Sequence, residues 1–116
     1  MIRPGVVPKS LAIRGSKGIM VGMGGFLALS DDSGKNWQPK NIMSEKFSFY
    51  RLLMIDSLRA YAVGSNGEIL YTEDAGYNWV PEASGTIHEL LDIQMIGKRI
   101  YACGKKGALI YKESGR

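Results

Sequence analysis

A chain of 116 residues, 45% hydrophobic and 22% charged, has the apolar content of one folded domain, which excludes a disordered chain and is too short for two comfortable domains. The net charge of +4 is diffuse: six basic and two acidic residues in 1–43, three and six in 44–84, six and three in 85–116. Such a balance reads as a solvated surface, so nucleic acid is not an expected partner, and fifteen glycines argue against a helical bundle.

The chain opens on MIRPGVVPKS, which carries charge with no apolar run behind it, so no secretory signal is read. No window approaches the roughly 18 to 20 apolar residues that cross a bilayer. The expectation is a cytoplasmic protein with no membrane partner. Cys103, the one cysteine, lies in the apolar run RIYACG and reads as a small core residue.

Laid on itself from one glycine per unit, the chain gives three repeats. The first, LAIRGSKGIMVGMGGFLALSDDSGKNW, starts at Leu11; the second, LMIDSLRAYAVGSNGEILYTEDAGYNW, at Leu53; the third, IQMIGKRIYACGKKGALIYKESGR, at Ile93. Gly22, Gly64 and Gly104 correspond, as do Gly25, Gly67 and Gly107, at spacings of 42 and 40 that fall in the range of propeller blades.

Each unit predicts a meander of short antiparallel strands. Period-two patterning puts Leu11 with Ile13, Leu53 with Ile55, and Ile93 with Met95 on one side of a first strand. GIMVG, AYAVG and IYACG predict second strands, and FLALS, EILYT and ALIYK third strands, separated by the glycine turns MGG, SNG and KKG. A fourth strand follows each tryptophan in NWQPKN and NWVPEA, where proline argues for an edge. No helix is predicted; SEKFSFYRLLMI and TIHELLDIQMI have spacing a helix could use, but the repeat overrides it. The predicted organisation is one domain over 1–116: an N-terminal segment 1–10, blade 1 over about 11–43, blade 2 over 44–84 and an incomplete blade 3 over 85–116.

SDDSGKNW at 30–37 and TEDAGYNW at 72–79 share the pattern Ser/Thr-x-Asp-x-Gly-x-x-Trp. These copies resemble the Asp-box, or BNR, repeat, and AVGSNGEILYTEDAGYNW is similar to the repeat of photosystem II assembly and stability factor propellers. Related boxes occur in sialidases, xyloglucanases and sortilin-type receptors, all propellers. The resemblance covers nearly the whole chain from about residue 8. It implies an all-β fold of three Asp-box propeller blades.

The box residues read as structural. Asp32 and Asp74 are placed to accept backbone N–H bonds across their own turns, and Ser30 and Thr72 to add a side-chain bond. Gly34 and Gly76 permit positive φ, and Trp37 and Trp79 supply apolar area between sheets. A calcium role for Asp31, Asp32, Glu73 and Asp74 lacks the ligand density of a calcium loop. The third copy departs from the pattern: Lys112, Ser114 and Arg116 stand where Thr72, Asp74 and Gly76 do.

Closed propellers use about four to eight blades, so three are expected to complete a β-propeller by oligomerisation, with a trimer, a three-stranded end blade or a fragment of a larger propeller as the alternatives to a dimer. A head-to-tail homodimer forming a six-bladed ring is the economical solution, with residues 1–7 as a candidate outer strand for a neighbour's blade. No catalytic assembly is read: sialidase resemblance points to Arg14, Arg51 and Tyr50, but surface or packing roles suit them better. His88 has no partner at metal-ligand spacing, and no metal or cofactor is expected. Met20, Met23, Met54 and Met95 read as core filler.

Loops joining second to third strands, and those linking blades, should gather on one face. They carry the candidate binding residues Ser65, Asn66, Lys105, Lys106 and His88, beside Met23, Gly24 and the stretch Glu45 to Ser48. The leading function is a non-enzymatic binding or assembly module presenting these loops to a protein partner, in the manner of a chaperone-like scaffold or a viral structural component in a virion. The photosystem factors have more blades and usually an export signal, so their partner is not transferred. The alternative is a lectin-like propeller binding a glycan, with Tyr77 and Phe49 as stacking platforms; a sialidase-like hydrolase is third.

Overall fold

The computed structural model describes residues 7–40, 47–107 and 109–113. Three antiparallel sheets follow one another along the chain. Sheet 1 is β1 (Pro8–Arg14), β2 (Lys17–Gly22), β3 (Leu27–Ser30) and β4 (Gln38–Pro39). Sheet 2 is β5 (Phe49–Met54), β6 (Ala60–Gly64), β7 (Ile69–Thr72) and β8 (Val80–Glu82). Sheet 3 is β9 (Leu90–Ile96), β10 (Arg99–Gly104) and β11 (Leu109–Glu113). Each is a simple meander, as the repeat predicts, and no α-helix occurs among the described residues. The fold is all-β, with the architecture of a partial propeller.

Alternation along the strands assigns each side chain to one of two neighbours. In β6, Ala60 and Ala62 point toward sheet 1, while Tyr61 and Val63 point toward sheet 3. The first interface packs Ile19, Val21, Leu27 and Leu29 against Phe49, Leu52, Met54 and the two alanines. The second packs Tyr61, Val63, Ile69 and Tyr71 against Leu90, Ile93, Ile100 and Ala102. Small residues on one side of β6 and large ones on the other let sheets of equal pleat interdigitate on both faces.

The innermost strands carry a polar tie as well: the Leu52 backbone N–H donates to Ser10 Oγ at 3.1 Å, joining β5 to β1. The outermost strands, β4 and β8, each contain the proline expected of an edge.

Turns between the second and third strands share one geometry. Gly24–Gly25, Asn66–Gly67 and Lys106–Gly107 all have positive φ, and the Phe26 and Glu68 N–H groups donate to the carbonyls of Met23 and Ser65. Two successive left-handed residues closing such a bond make a type I′ turn, which matches the twist of a hairpin. Lys106 adopts φ 60 without glycine's freedom or asparagine's tolerance.

The first-strand alignment from the glycines slips by one residue in sheet 2. Leu11 pairs with Met20, Leu52 with Ala62 and Ile93 with Ala102, so the counterpart of Leu11 is Leu52 and not Leu53. The cause is the β5–β6 hairpin. There the Ile55 N–H donates to the Arg59 carbonyl, leaving Asp56, Ser57 and Leu58 as a three-residue loop. The other two hairpins turn at Gly15–Ser16 and Gly97–Lys98. A slip of one residue exchanges faces, and Leu53 and Ile55 accordingly face sheet 3.

Three core assignments need correction. Cys103 is exposed, because it alternates with Ile100 and Ala102 onto the outward face of sheet 3. Met23 and Met95 are also exposed, one in a turn and one near a strand end, whereas Met20 and Met54 are buried.

Candidate functional site

The two octapeptide turns lie at one end of the sheets, and their hydrogen bonds are nearly superimposable. Ser30 Oγ donates to Asp32 Oδ1 at 2.8 Å and accepts from the Gly34 N–H at 2.9 Å. Thr72 Oγ1 donates to Asp74 Oδ1 at 2.8 Å and accepts from the Gly76 N–H at 3.0 Å. Asp32 accepts the Asn36 backbone N–H at 2.9 Å and its side-chain amide at 2.7 Å; Asp74 accepts the same pair from Asn78 at 2.8 and 2.7 Å.

Every acceptor on each carboxylate is thus directed into its own turn, which leaves a poor ligand for anything outside. The backbone and side-chain bonds from Asn36, with that from Ser30, hold the Asp32 carboxyl down to about 2. At Asp74 burial opposes the charge, yet the bonds from Asn78 and Thr72 prevail and its pKa is also lowered. Both turns are anchored to a neighbouring hairpin of their own sheet: the Ser33 N–H donates to the Ser16 carbonyl at 3.0 Å, the Ala75 N–H to the Leu58 carbonyl at 2.8 Å.

Gly34 and Gly76 have φ 87 and 98, and each is preceded by a left-handed Ser33 or Ala75 that the sequence pattern does not announce. A Cβ on Gly76 would stand 2.6 Å from Leu29 Cδ2, so this turn presses on sheet 1. Trp79 packs into the core between sheets 1 and 2, and its indole N–H donates to the Gly76 carbonyl at 2.8 Å. Trp37 lies against Met20, Phe26 and Ala28 on the far face of sheet 1. Ser114 and Arg116, the third copy's remaining positions, lie outside the described residues.

The opposite end gathers the type I′ turns with the segments that enter each sheet. The Met23 N–H donates to the Val7 carbonyl, Ser65 N–H to Ser48 and Lys105 N–H to Glu89, at 3.0, 2.8 and 2.9 Å. Ser65 Oγ also accepts the Ser48 N–H at 2.8 Å. These contacts explain the repeated Gly22, Gly64 and Gly104: their backbone is extended at Gly22 and Gly64, and a Cβ would fall 2.3, 1.9 and 1.7 Å from the entering carbonyls of Val7, Ser48 and Glu89.

The candidate loop residues divide. Asn66 and His88 line one wide groove of about 660 Å³ with Glu68, Ser84 and Thr86. Ser65 is spent on Ser48, and Lys105 Nζ pairs with Glu89 Oε1 at 3.0 Å rather than standing free for a ligand. Glu89 also accepts from the Tyr50 hydroxyl at 3.1 Å, and the bonds from Lys105 and Tyr50 lower its pKa. Lys106 is an exposed turn tip. Arg51 Nε lies 3.3 Å from Asp92 Oδ1, and Arg14 is exposed on β1. Glu45 lies outside the described residues. Of the two proposed stacking platforms, Phe49 is 0% exposed and unavailable to a ligand, because it faces sheet 1; Tyr77 is half-exposed with Lys40 Nζ 5.1 Å from its ring centroid.

A feature that the repeat alignment did not flag lies between sheets 2 and 3. A cavity of about 180 Å³ is bounded by Tyr61, Ile69, Ile93, Ile100, Ala102 and Ile110, with the Glu82–Lys112 ion pair at its rim. Burial pulls the Lys112 pKa down, but Glu82 and the nearby Tyr61 hydroxyl outweigh it and the net shift is upward. Among the described residues, no three or more His, Cys, Asp or Glu side chains come together to hold a metal. None of the described helices is long and apolar enough to cross a membrane.

No protein-family model matches the chain, and no curated protein matches its sequence. Among solved structures, the chain is similar to YCF48 from Cyanidioschyzon merolae, with a TM-score of 0.80 and 18% identity over 99% of this chain and 39% of that one. It is similar also to a structure of YCF48 bound to D1 peptide, with a TM-score of 0.79 and 19% identity over 96% and 39%. The chain spans about two fifths of the length of either neighbour, and the likeness identifies the fold: consecutive blades of a β-propeller.

Proposed function

We propose that this chain is a non-enzymatic propeller scaffold that binds a protein partner, and that its two octapeptide turns are Asp-boxes serving the fold and not a ligand. Their carboxylates are consumed by internal hydrogen bonds, which supports the structural assignment. One neighbour of the same fold is bound to a peptide, which favours a protein partner over a glycan. The burial of Phe49 removes one of the two aromatic platforms that a glycan reading needs.

The observation that carries the scaffold reading is the pair of end faces that no other sheet covers among the described residues. On sheet 1, Leu11 and Ile13 alternate with the core-facing Ala12 and are 55% and 42% exposed. On sheet 3, Ile96 is 64% exposed beside Gln94 and Cys103. Apolar sheet faces of this kind mark association surfaces. A head-to-tail homodimer that closes a six-bladed ring would cover both at once.

Light scattering at micromolar concentration tests this, with Ile13→Lys and Ile96→Lys as interface variants. A dimer in the parent chain that dissociates in either variant supports the ring. A monodisperse monomer removes the ring, and a dimer indifferent to both substitutions places the contact elsewhere.

A further inference from the structure

We propose that the groove between the Ser65–Gly67 turn and the linker from β8 to β9 is a docking site for a basic segment of a protein partner, with the Glu68 carboxylate receiving an arginine side chain and Ile87 an aliphatic neighbour of that arginine. The proposal rests on the scaffold reading and names the chemistry of its partner.

The groove is built within one continuous stretch of chain, residues 66–88, so its walls owe nothing to the segments at either end. Gly67 lets the linker lie directly on the turn: a Cβ there would stand 2.0 Å from the Thr86 carbonyl oxygen and 3.1 Å from Ser84 Oγ. Two hydroxyl turns then fix the linker's course. Ser84 Oγ accepts the Thr86 N–H at 3.2 Å and donates to the Thr86 carbonyl at 3.1 Å, and Thr86 Oγ1 accepts the His88 N–H at 3.1 Å. The backbone on both sides of Ile87 is thereby pinned, and its side chain is 79% exposed, the most exposed large apolar group among the described residues. A site shaped before its ligand arrives loses less conformational freedom on binding.

Charge identifies the occupant. Blade 2 is the acidic part of the chain, with six acidic and three basic residues in 44–84. Most of its described carboxylates are committed: Asp56 to Arg59, Glu73 to the Tyr71 hydroxyl, Asp74 to its own clasp and Glu82 to Lys112. Glu68 is the exception. It is partly buried at the groove wall, its carboxylate has no hydrogen bond or ion pair among the described residues, and none of the described lysines or arginines lines the groove. A carboxylate partly withdrawn from water gains most from a cation that also donates hydrogen bonds to it. Arginine suits this site better than lysine. Its fork has more donors than one carboxylate uses, the exposed Asn66 amide lies on the same groove to accept another, and arginine is enriched at protein interfaces where lysine is depleted. An aliphatic residue beside that arginine would cover Ile87, which otherwise faces water.

The test uses the end-capped synthetic peptide GLRLG and its counterpart GLQLG, in which glutamine replaces the arginine, titrated into the 116-residue chain at neutral pH. The readout is the amide and isoleucine δ1-methyl NMR spectrum. The proposal expects saturable shifts at Gly67, Glu68 and Ile87, none at Ile19 or Ile96, and about tenfold weaker binding of GLQLG, the loss expected when a hydrogen bond to a charged group is removed. Glu68→Gln in the chain should abolish the preference for the arginine peptide, and Ile87→Ser should weaken both peptides alike. If a variant does not fold, the comparison of peptides on the parent chain still decides. No saturable shift at millimolar peptide, equal affinity of the two peptides, a preference that survives Glu68→Gln, or shifts centred away from residues 66–88 each overturn the proposal. None of these outcomes touches the oligomeric mass on which the scaffold reading is judged.

Discussion

Gly64 and Ser48 lie so close that a Cβ on the glycine would stand 1.9 Å from the Ser48 carbonyl oxygen. The strand entering sheet 2 thus makes its close approach to β6 at the one residue of β6 without a side chain. The next residue, Ser65, donates its N–H to that same carbonyl. Gly64→Ala should destabilise the chain by about 3 kcal/mol, at the upper end of what overpacking costs, because backbone and not a flexible side chain must yield. Gly85→Ala meets nothing within 4 Å and should cost about 1 kcal/mol, from its left-handed φ alone. Urea melts of the two variants check the order.

Thr72 Oγ1 serves three partners in the second clasp, and the Gly76 N–H that it accepts is buried. Thr72→Val keeps the shape and leaves that donor unsatisfied. A loss of about 1–3 kcal/mol is expected, read by thermal unfolding. Ser30→Ala removes the matching bonds from a more exposed turn and should cost less.

Acid should open the first clasp late. The Asp32 carboxyl is held at about 2 against an ordinary 3.8, so between those values the unfolded chain binds more protons than the folded one. Its contribution to stability is therefore complete above about pH 4, declines as pH falls, and is gone below about pH 2. The Asn36 amide shift, followed by NMR, should titrate with a midpoint near 2. A midpoint at the ordinary carboxylate value would show that the clasp does not form.

Lys106 sits at φ 60 in the third type I′ turn, where the other two turns place Gly24 and Asn66. Lys106→Gly should stabilise the chain by up to about 1 kcal/mol, since relief of left-handed strain exceeds glycine's added backbone freedom only modestly. A rise in the urea midpoint with unchanged slope is the expected result.

The period and the clasps were legible because a repeated sequence reports a repeated environment: Asp32 and Asp74, Gly34 and Gly76 each make the same bonds twice. What a repeat cannot report is a difference between its copies. The extra loop residue at Asp56–Leu58 shifts Leu53 to the other face without disturbing the glycine alignment. The apolar run around Cys103 looks like core, but among the described residues only one side of β10 faces another sheet. Ion pairs joining distant positions were hidden for the same reason: Lys105 with Glu89 and Lys112 with Glu82 depend on which strand lies alongside which. Nor does any pattern mark Ser33 and Ala75 as left-handed, since neither residue type favours it.

The two-faced use of β6 has a kinetic consequence. Substantial strand contacts between sheets run from β1 and β2 to β5, and from β5 and β6 to β9, so each sheet leans on its sequence neighbour, and the pairings within it are local hairpins. A linear array coupled in this way can begin to order at any hairpin and spread outward, and its ends open before its middle. Amide exchange should therefore be slowest in Tyr61 to Val63, the strand that two neighbours protect, and fastest toward the flanks.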